Sequence, residues 1–136
     1  MTKRKRTRRG ATDRPTEAEL EILEVLWAEG PCALGAIHAV LKLRNAVGYT
    51  TTQKLVHVMR DKGLVTVDKS TRPPSYVAAD PPEETQLKLL DYLAQRAFGG
   101  SAKNVVMSLL SNERLSASEL DEVRKVIAEK KKGKQV

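Results

Sequence analysis

The sequence has few of the features that would identify a secreted, membrane or disulfide-stabilised protein. It contains one cysteine, Cys32, so an intrachain disulfide framework is excluded and a small extracellular domain is disfavoured. No apolar run approaches the ~20 residues that a membrane-spanning helix needs, and the N-terminus lacks the apolar segment of a signal peptide. These absences predict a soluble protein located in the cytoplasm.

Histidine and cysteine, which often carry catalysis or bind metals, are also scarce, although carboxylates are plentiful. The two histidines, His38 and His57, stand apart, and with a single cysteine they form no zinc-ligand spacing. Carboxylates cluster at predicted helix starts, where the helix dipole favours them, and we find no paired general acid and base, phosphate loop or nucleophile motif. We therefore expect a protein that is not an enzyme and has no cofactor or metal.

Positive charge is abundant, but much of it lies in the tails. The net charge is +7; residues 1–14 hold seven Lys and Arg against Asp13, and residues 129–136 hold four Lys against Glu129. Such tails are typical of disordered, solubilising segments, and they also attract polyanions. Between the tails, residues 40–80 contain seven basic residues against three acidic ones, so a local basic excess coincides with the helix described next.

Residues 48–67 predict one helix followed by one strand, and the rest of the chain is arranged to present that helix. Thr50 and Gln53 have the spacing of a capping box, so we expect the helix to begin near Thr51 and to end at Gly63. An outer face of Thr, Gln, Lys and His side chains suits a DNA groove, although a polar face is more often simply solvated. The residues assigned to the buried face are Leu55, Val56, Val58 and Met59.

The flanking sequence completes a helix-turn-helix with an appended hairpin. A capping box at residues 16–19 begins a first helix that ends at Gly30, and residues 34–41 predict a second helix. Residues 64–67 and 75–78 predict two strands joined by an open loop, because two consecutive prolines exclude a tight turn. The predicted fold class is mainly α with a small β wing, a winged helix.

Three more amphipathic helices follow the wing. The first is expected to have Asp80 as its cap, the second to start at Ser101, and the third to start with a capping box at residues 116–119 and to end before the lysine tail. Their apolar faces exceed what one small domain can cover, so a second copy is the simplest partner. The residues expected at this homodimer interface are Leu87, Leu90, Val105, Val106, Leu109, Leu120, Val123 and Ile127.

These elements predict four segments. They are a disordered basic arm at 1–14, a winged-helix DNA-binding domain at 15–80, a helical dimerisation region at 81–128 and a basic tail at 129–136. The DNA backbone contacts are expected from Tyr49, Lys69, Arg72 and, in the arm, Lys3, Arg4, Lys5 and Arg6. Tyr49 could equally be a core residue.

Four stretches within residues 15–128 carry a family resemblance: PTEAELEILEVLWAEGP, YTTTQKLVHVMRDKGLV, PPSYVAADP and AFGGSAKNVVMSLLSNERLSASELDEVRKVI. Together they resemble the penicillinase-repressor family of winged-helix transcriptional regulators (BlaI/MecI/CopY type). The resemblance implies a homodimeric repressor that dimerises through its C-terminal helices and binds a palindromic operator in double-stranded DNA. It places the groove-reading face on Thr50, Thr51, Gln53, Lys54 and His57.

The chain departs from that family in its basic arm and in two C-terminal motifs. It lacks the cysteine-rich motif of the copper-responsive branch, so we expect no copper response. It also lacks the Asn-Phe dipeptide cut in the best-known β-lactam repressors; the matching position is about Ser108 and Leu109. We expect relief of repression by a cut near this position, with a sensor-linked protease as a partner, because losing the dimer discards the affinity gained from linking two DNA-binding domains.

Two other functions fit the same residues. One is an architectural or nucleoid-associated protein that binds DNA without sequence preference through its basic tails. The other is a helical interaction module whose polar helix binds an acidic protein. Removing the tails distinguishes the first alternative from a specific repressor, because a tail-driven binder would lose affinity for every sequence alike.

Overall fold

A computed structural model describes residues 14–134 and confirms a mainly α fold with a small β wing. The elements in chain order are α1 (Glu17–Glu29), β1 (Cys32–Ala33), α2 (Leu34–Arg44), α3 (Tyr49–Asp61), β2 (Val65–Asp68), β3 (Ser75–Ala78), α4 (Pro82–Ala97), α5 (Ala102–Ser111) and α6 (Ala117–Lys134). Most of the predicted basic arm, with Lys3, Arg4, Lys5 and Arg6, lies outside the described residues. The chain divides into two compact units, the first ending at Leu90 and the second beginning at Asp91. The predicted domain boundaries stay a prediction.

One apolar core holds the first unit together. It is formed by the inner faces of α1, α2 and α3 and by the wing strands, and its fully buried apolar members are Ile22, Leu23, Ile37, Val56, Met59 and Val65. Trp27 packs against this core, and its indole N–H donates to the Asp80 carbonyl oxygen at 3.1 Å. That bond ties the chain leaving the wing to α1.

The wing belongs to a three-stranded antiparallel sheet, in the order β1-β3-β2. β2 and β3 form the predicted hairpin, with Val65 opposite Ala78 and Asp68 opposite Ser75. The short strand β1, which was not predicted, pairs Cys32 with Tyr76. Cys32 is buried, and burial together with the nearby Glu29 carboxylate raises the pKa of its thiol.

Several predicted helix ends are confirmed by their hydrogen bonds. At the start of α1 the Thr16 hydroxyl accepts from the Glu19 N–H at 3.2 Å, while Glu19 Oε1 accepts from the Thr16 N–H at 2.9 Å. Ser101 caps α5, and Ser116 forms the corresponding capping box at α6. At the end of α3, Gly63 has a φ of +83°, which lets the Leu64 N–H reach the Met59 carbonyl at 2.9 Å in a Schellman motif.

Three predicted helix ends are wrong. The third helix begins at Tyr49, with Gly48 as its cap and no side-chain cap, so the expected capping box of Thr50 and Gln53 does not form. α4 begins at Pro82, two residues beyond Asp80, whose carbonyl is instead bonded to the Trp27 side chain. α6 continues to Lys134, so most of the lysine tail is helical; lysines in a last turn are favoured by the helix dipole.

The second unit has almost no core of its own. Within the described part of this unit, Ala94 is the one buried apolar residue, and neither α5 nor α6 has a buried residue. Large apolar side chains are instead exposed on the helices; they include Leu93, Val106, Met107, Leu109, Leu120, Val126 and Ile127. A single chain therefore leaves the apolar faces of this unit open to solvent.

Candidate nucleic-acid interface

One side of α3 faces away from the core. Thr52, Val56 and Met59 are buried on the opposite side. Thr51, Lys54, Val58 and Asp61 are spaced three, four and three residues apart, so they form one stripe along the helix. We call these four residues together with Thr50, all of which are exposed, the exposed side of α3.

The predicted groove-reading residues lie on or beside this surface. Thr50, Thr51 and Lys54 are exposed, whereas Gln53 and His57 are half-buried at one margin of the exposed side. Because Gly48 caps the helix through its backbone, neither Thr50 nor Gln53 is used for capping. Their side chains lie in the first turns of α3, the part of a recognition helix that contacts base edges in helix-turn-helix proteins. Their roles in reading bases stay a prediction.

Val58 was assigned to the buried face of the helix, and this assignment is wrong. Its exposed fraction is 48%, and it lies between Lys54 and Asp61 on the exposed side. The helical spacing from Lys54 was the signal that could have found it. The apolar side chain, which usually marks a core position, suggested the opposite.

Contacts with α2 hold the beginning of α3 in place. His38 Nδ1 lies 3.0 Å from the hydroxyl oxygen of Thr52, which is fully buried. The His38 ring also packs edge-on against Tyr49, with ring centroids 5.4 Å apart and planes at 81°. Tyr49 is about half exposed, so it both packs on α2 and borders the exposed side of α3. His38 is thus a structural residue, and its partners were not predicted.

An ion pair between buried Glu19 and partly exposed Lys62 holds the other end of α3. Lys62 Nζ lies 2.8 Å from both carboxylate oxygens of Glu19, whose side chain is only 3% exposed. Glu19 therefore caps α1 and pairs with the residue that follows α3. Lys62 was counted in the basic excess of residues 40–80, but this contact neutralises its charge.

Hydrogen bonds also order the wing loop between β2 and β3. Asp68 Oδ1 accepts from the Ser70 N–H at 2.9 Å and from the Ser70 hydroxyl at 2.5 Å, and these bonds lower the pKa of the Asp68 carboxyl. The Thr71 hydroxyl lies 2.9 Å from that of Ser75, across the loop. Lys69 and Arg72 project from this folded loop and are exposed.

The interface carries positive charge that is not neutralised by an ion pair within the described residues. Across residues 14–134, Lys54, Lys69 and Arg72 form no ion pair, whereas Arg60 lies 3.8 Å from Asp61 and Arg44 lies 3.4 Å from Glu24. Two loop cations and one helix cation are therefore available to a polyanion. Phosphate groups are the natural partners of such cations.

No group of three or more His, Cys, Asp and Glu side chains between residues 14 and 134 could hold a metal ion. None of the helices in that range is long and apolar enough to cross a bilayer.

Comparison with known proteins finds similarity to repressors and transcriptional regulators. The family model described as penicillinase repressor matches residues 15–129. A transcriptional regulator BlaI from Mycobacterium tuberculosis is 28% identical over 119 residues, covering 86% of this chain and 85% of the relative. A penicillinase repressor from Bacillus licheniformis is 24% identical over 120 residues (88% and 93%), and one from Staphylococcus aureus is 20% identical over 110 residues (81% and 87%).

Proposed function

We propose that this chain, which belongs to the penicillinase repressor family, is a sequence-specific DNA-binding transcriptional repressor. The observation that carries the proposal is the exposed side of α3, a mainly polar stripe on a helix that is held at both ends by partly buried contacts. A helix that is held in this way can present each of its exposed side chains to DNA in a fixed orientation. Relatives that are named as a transcriptional regulator and as penicillinase repressors support the same function.

In this proposal α3 lies in the major groove and the wing contacts the backbone. The base-reading side chains are Thr50, Thr51, Gln53, Lys54 and His57. Lys69 and Arg72 on the wing loop and Tyr49 at the start of α3 bind phosphates, which fix the register of the helix without choosing sequence. Lys54, Lys69 and Arg72, which form no ion pair within residues 14–134, support this arrangement.

We further propose that the repressor is a homodimer that binds a palindromic operator. The support is the second unit, whose α5 and α6 have no buried residue in a single chain. A second copy could cover these apolar faces, and two-fold symmetry is the commonest arrangement for such a pair. Two linked DNA-binding units would then match the two halves of a palindrome.

Relief of repression is proposed to come from losing the dimer. The buried apolar residues of the first unit pack together in one core, so a small-molecule pocket in the DNA-binding part is not the expected switch. A protease that cut near Ser108 and Leu109, within α5, would separate the two DNA-binding units of the dimer. The operator affinity gained from effective concentration would then be lost.

Selection of bound sites from random DNA tests the central proposal. The full chain should enrich one palindromic site. A variant lacking residues 1–13, with Lys130, Lys131, Lys132 and Lys134 replaced by Gln, should enrich the same site with lower affinity. Substitution is preferable to deletion at the C-terminus because α6 extends to Lys134. Loss of affinity for all sequences alike, with no site enriched, would favour the architectural alternative.

A further inference from the structure

Val58 has an unusual position for an apolar side chain. It is the one apolar residue on the exposed side of α3, where its neighbours are Lys54 one turn before and Asp61 one turn after. Nearly half of the residue, 48%, is accessible to solvent. Single exposed valines are common on protein surfaces, so exposure alone carries no function. The location of Val58 is informative, because the exposed side of α3 is the surface that would enter the DNA groove.

The chemistry of valine restricts what it can recognise there. Its side chain has no hydrogen-bond donor or acceptor, so it cannot pair with the polar edge of any base. In the major groove, thymine alone among the four bases presents a methyl group, at its C5 position. Valine is also stiff at χ1, so it presents its methyl groups in a fixed direction without losing much conformational freedom on binding.

We propose that Val58 is a specificity-determining residue that contacts the C5 methyl group of a thymine in each half of the operator. This inference rests on the proposed function and adds an apolar contact to the hydrogen bonds proposed for the polar base-reading residues. It divides recognition on α3 between the polar readers, the last of which is His57, and one apolar reader that follows His57 in the sequence. Removing water from both the valine and the thymine methyl would favour a thymine at that position over cytosine.

Replacing thymine by uracil tests the contact directly, since the two bases differ only by this methyl group. The site selected by the full chain is synthesised with deoxyuridine at each thymine in turn, and the Kd is measured for each. One thymine per half-site should be sensitive, with binding weakened about fourfold for the loss of one buried methyl. Replacement in both halves should weaken binding about fifteenfold.

Variants then assign the sensitivity to Val58. Val58→Ala should bind the thymine and uracil sites with equal Kd at that position, and Val58→Thr, which keeps one methyl group, should retain part of the difference. Val77→Ala removes the same atoms from an exposed valine on β3 and should leave the sensitivity unchanged. Because Val58 is exposed, its truncation should not impair folding, which circular dichroism would check.

The outcomes separate this inference from the function on which it rests. If a site is selected but every thymine tolerates uracil, or if the sensitivity persists in Val58→Ala, the inference is overturned while the proposed function stands. If no site is selected from random DNA, the proposed function fails and the inference fails with it.

Discussion

Among single residues, Glu19 has the greatest consequence for how α3 is presented. Its carboxylate is nearly inaccessible and contacts both the Thr16 N–H and Lys62 Nζ. Glu19→Ala should lower the free energy of unfolding by about 3 kcal/mol, because Lys62 would be left without its partner in a partly buried position. Urea denaturation of the full chain measures the loss.

Glu24 provides the control for this prediction. It pairs with Arg44 at 3.4 Å, but both side chains are about half exposed. Glu24→Ala should therefore cost less than about 1 kcal/mol. Equal losses for the two variants would mean that the pair of Glu19 with Lys62 contributes no more than an ordinary surface contact.

Asp68 gives a prediction for pH. The Ser70 hydroxyl and N–H stabilise the ionised carboxylate and keep the pKa of Asp68 below its ordinary value. The stabilisation of the wing turn is therefore fully present above the pKa of the unfolded chain, and it is lost as pH falls through the lower pKa of the folded chain. In an NMR titration, Ser70→Ala should raise the pKa of Asp68 towards its ordinary value.

Thr71 allows a matched comparison within the same loop. Its hydroxyl contacts the Asp68 carbonyl and the Ser75 hydroxyl but not the Asp68 carboxylate. Thr71→Ala should leave the titration of Asp68 unchanged. A pKa that did not respond to Ser70→Ala would show that the hydroxyl contact does not form in solution.

At the scale of elements, α3 and the wing should differ in the kind of DNA contact they make. Gln53 can pair bidentately with adenine, so Gln53→Ala should cost about 1 to 3 kcal/mol and relax the preference at one position per half-site. Arg72 should neutralise a phosphate, so Arg72→Ala should weaken binding to all sequences similarly and lower the slope of log K against log salt by about one.

Arg44 is the control for the wing arginine, since it is exposed on α2 and paired with Glu24. Arg44→Ala should leave the salt slope unchanged. If Gln53→Ala changed the slope and Arg72→Ala changed the base preference, the assignment of helix and wing would have to be reversed.

The elements that the sequence predicted well are those with local signals. The capping box of Thr16 with Glu19 and the Gly63 stop depend on residues within a few positions of each other, and both form as expected. β1 has only two residues and pairs with β3 more than forty residues later, so no local pattern marks it. The start of α3 at Tyr49, ahead of the predicted start near Thr51, was also not predicted. Gly48 is the cap residue and has no side chain that could mark it in the sequence.

Prediction of the candidate site from the sequence was limited in the same way, because local patterns do not reveal long-range contacts. Thr51 and Lys54 could be assigned to an outer face from helical spacing alone. The contacts that hold α3 could not, because His38 and Thr52 are 14 residues apart and Glu19 and Lys62 are 43 apart. These long-range pairs decide how rigidly the exposed side is presented, and only the fold brings them together.

For the whole molecule, association should depend on the second unit. Val123 lies on α6, which has no buried residue in the single chain. Val123→Asp would place an unpaired charge in the proposed dimer contact, so the variant should sediment as a monomer and bind operator much more weakly. Lys125→Asp introduces the same carboxylate at an exposed position of α6 and should remain dimeric. A dimeric Val123→Asp variant in analytical ultracentrifugation would argue against this interface.

The proposed release by proteolysis requires that α5 can open. No residue of α5 is buried, Gly99 and Gly100 precede it with positive φ, and Asn112 ends it with a side-chain N–H donated to the Ser108 carbonyl at 2.7 Å. Because a single chain gives α5 little tertiary burial, only the proposed dimer contact resists its local unfolding, and the first cuts within the described residues should fall between 99 and 115. Asn112→Ala, which removes the bond at the helix end, should be cut faster.

Asn104→Ala is the matched control, because Asn104 lies on the first turn of α5 and only its backbone N–H takes part in the cap. Its cutting rate should equal that of the parent chain. The N-terminal product should bind operator on the order of a hundredfold more weakly than the intact protein, since each half-site must then be bound independently. A product that bound as tightly as the intact chain would contradict release by cleavage, and so would an intact chain that a small molecule displaced from its operator in induced cells.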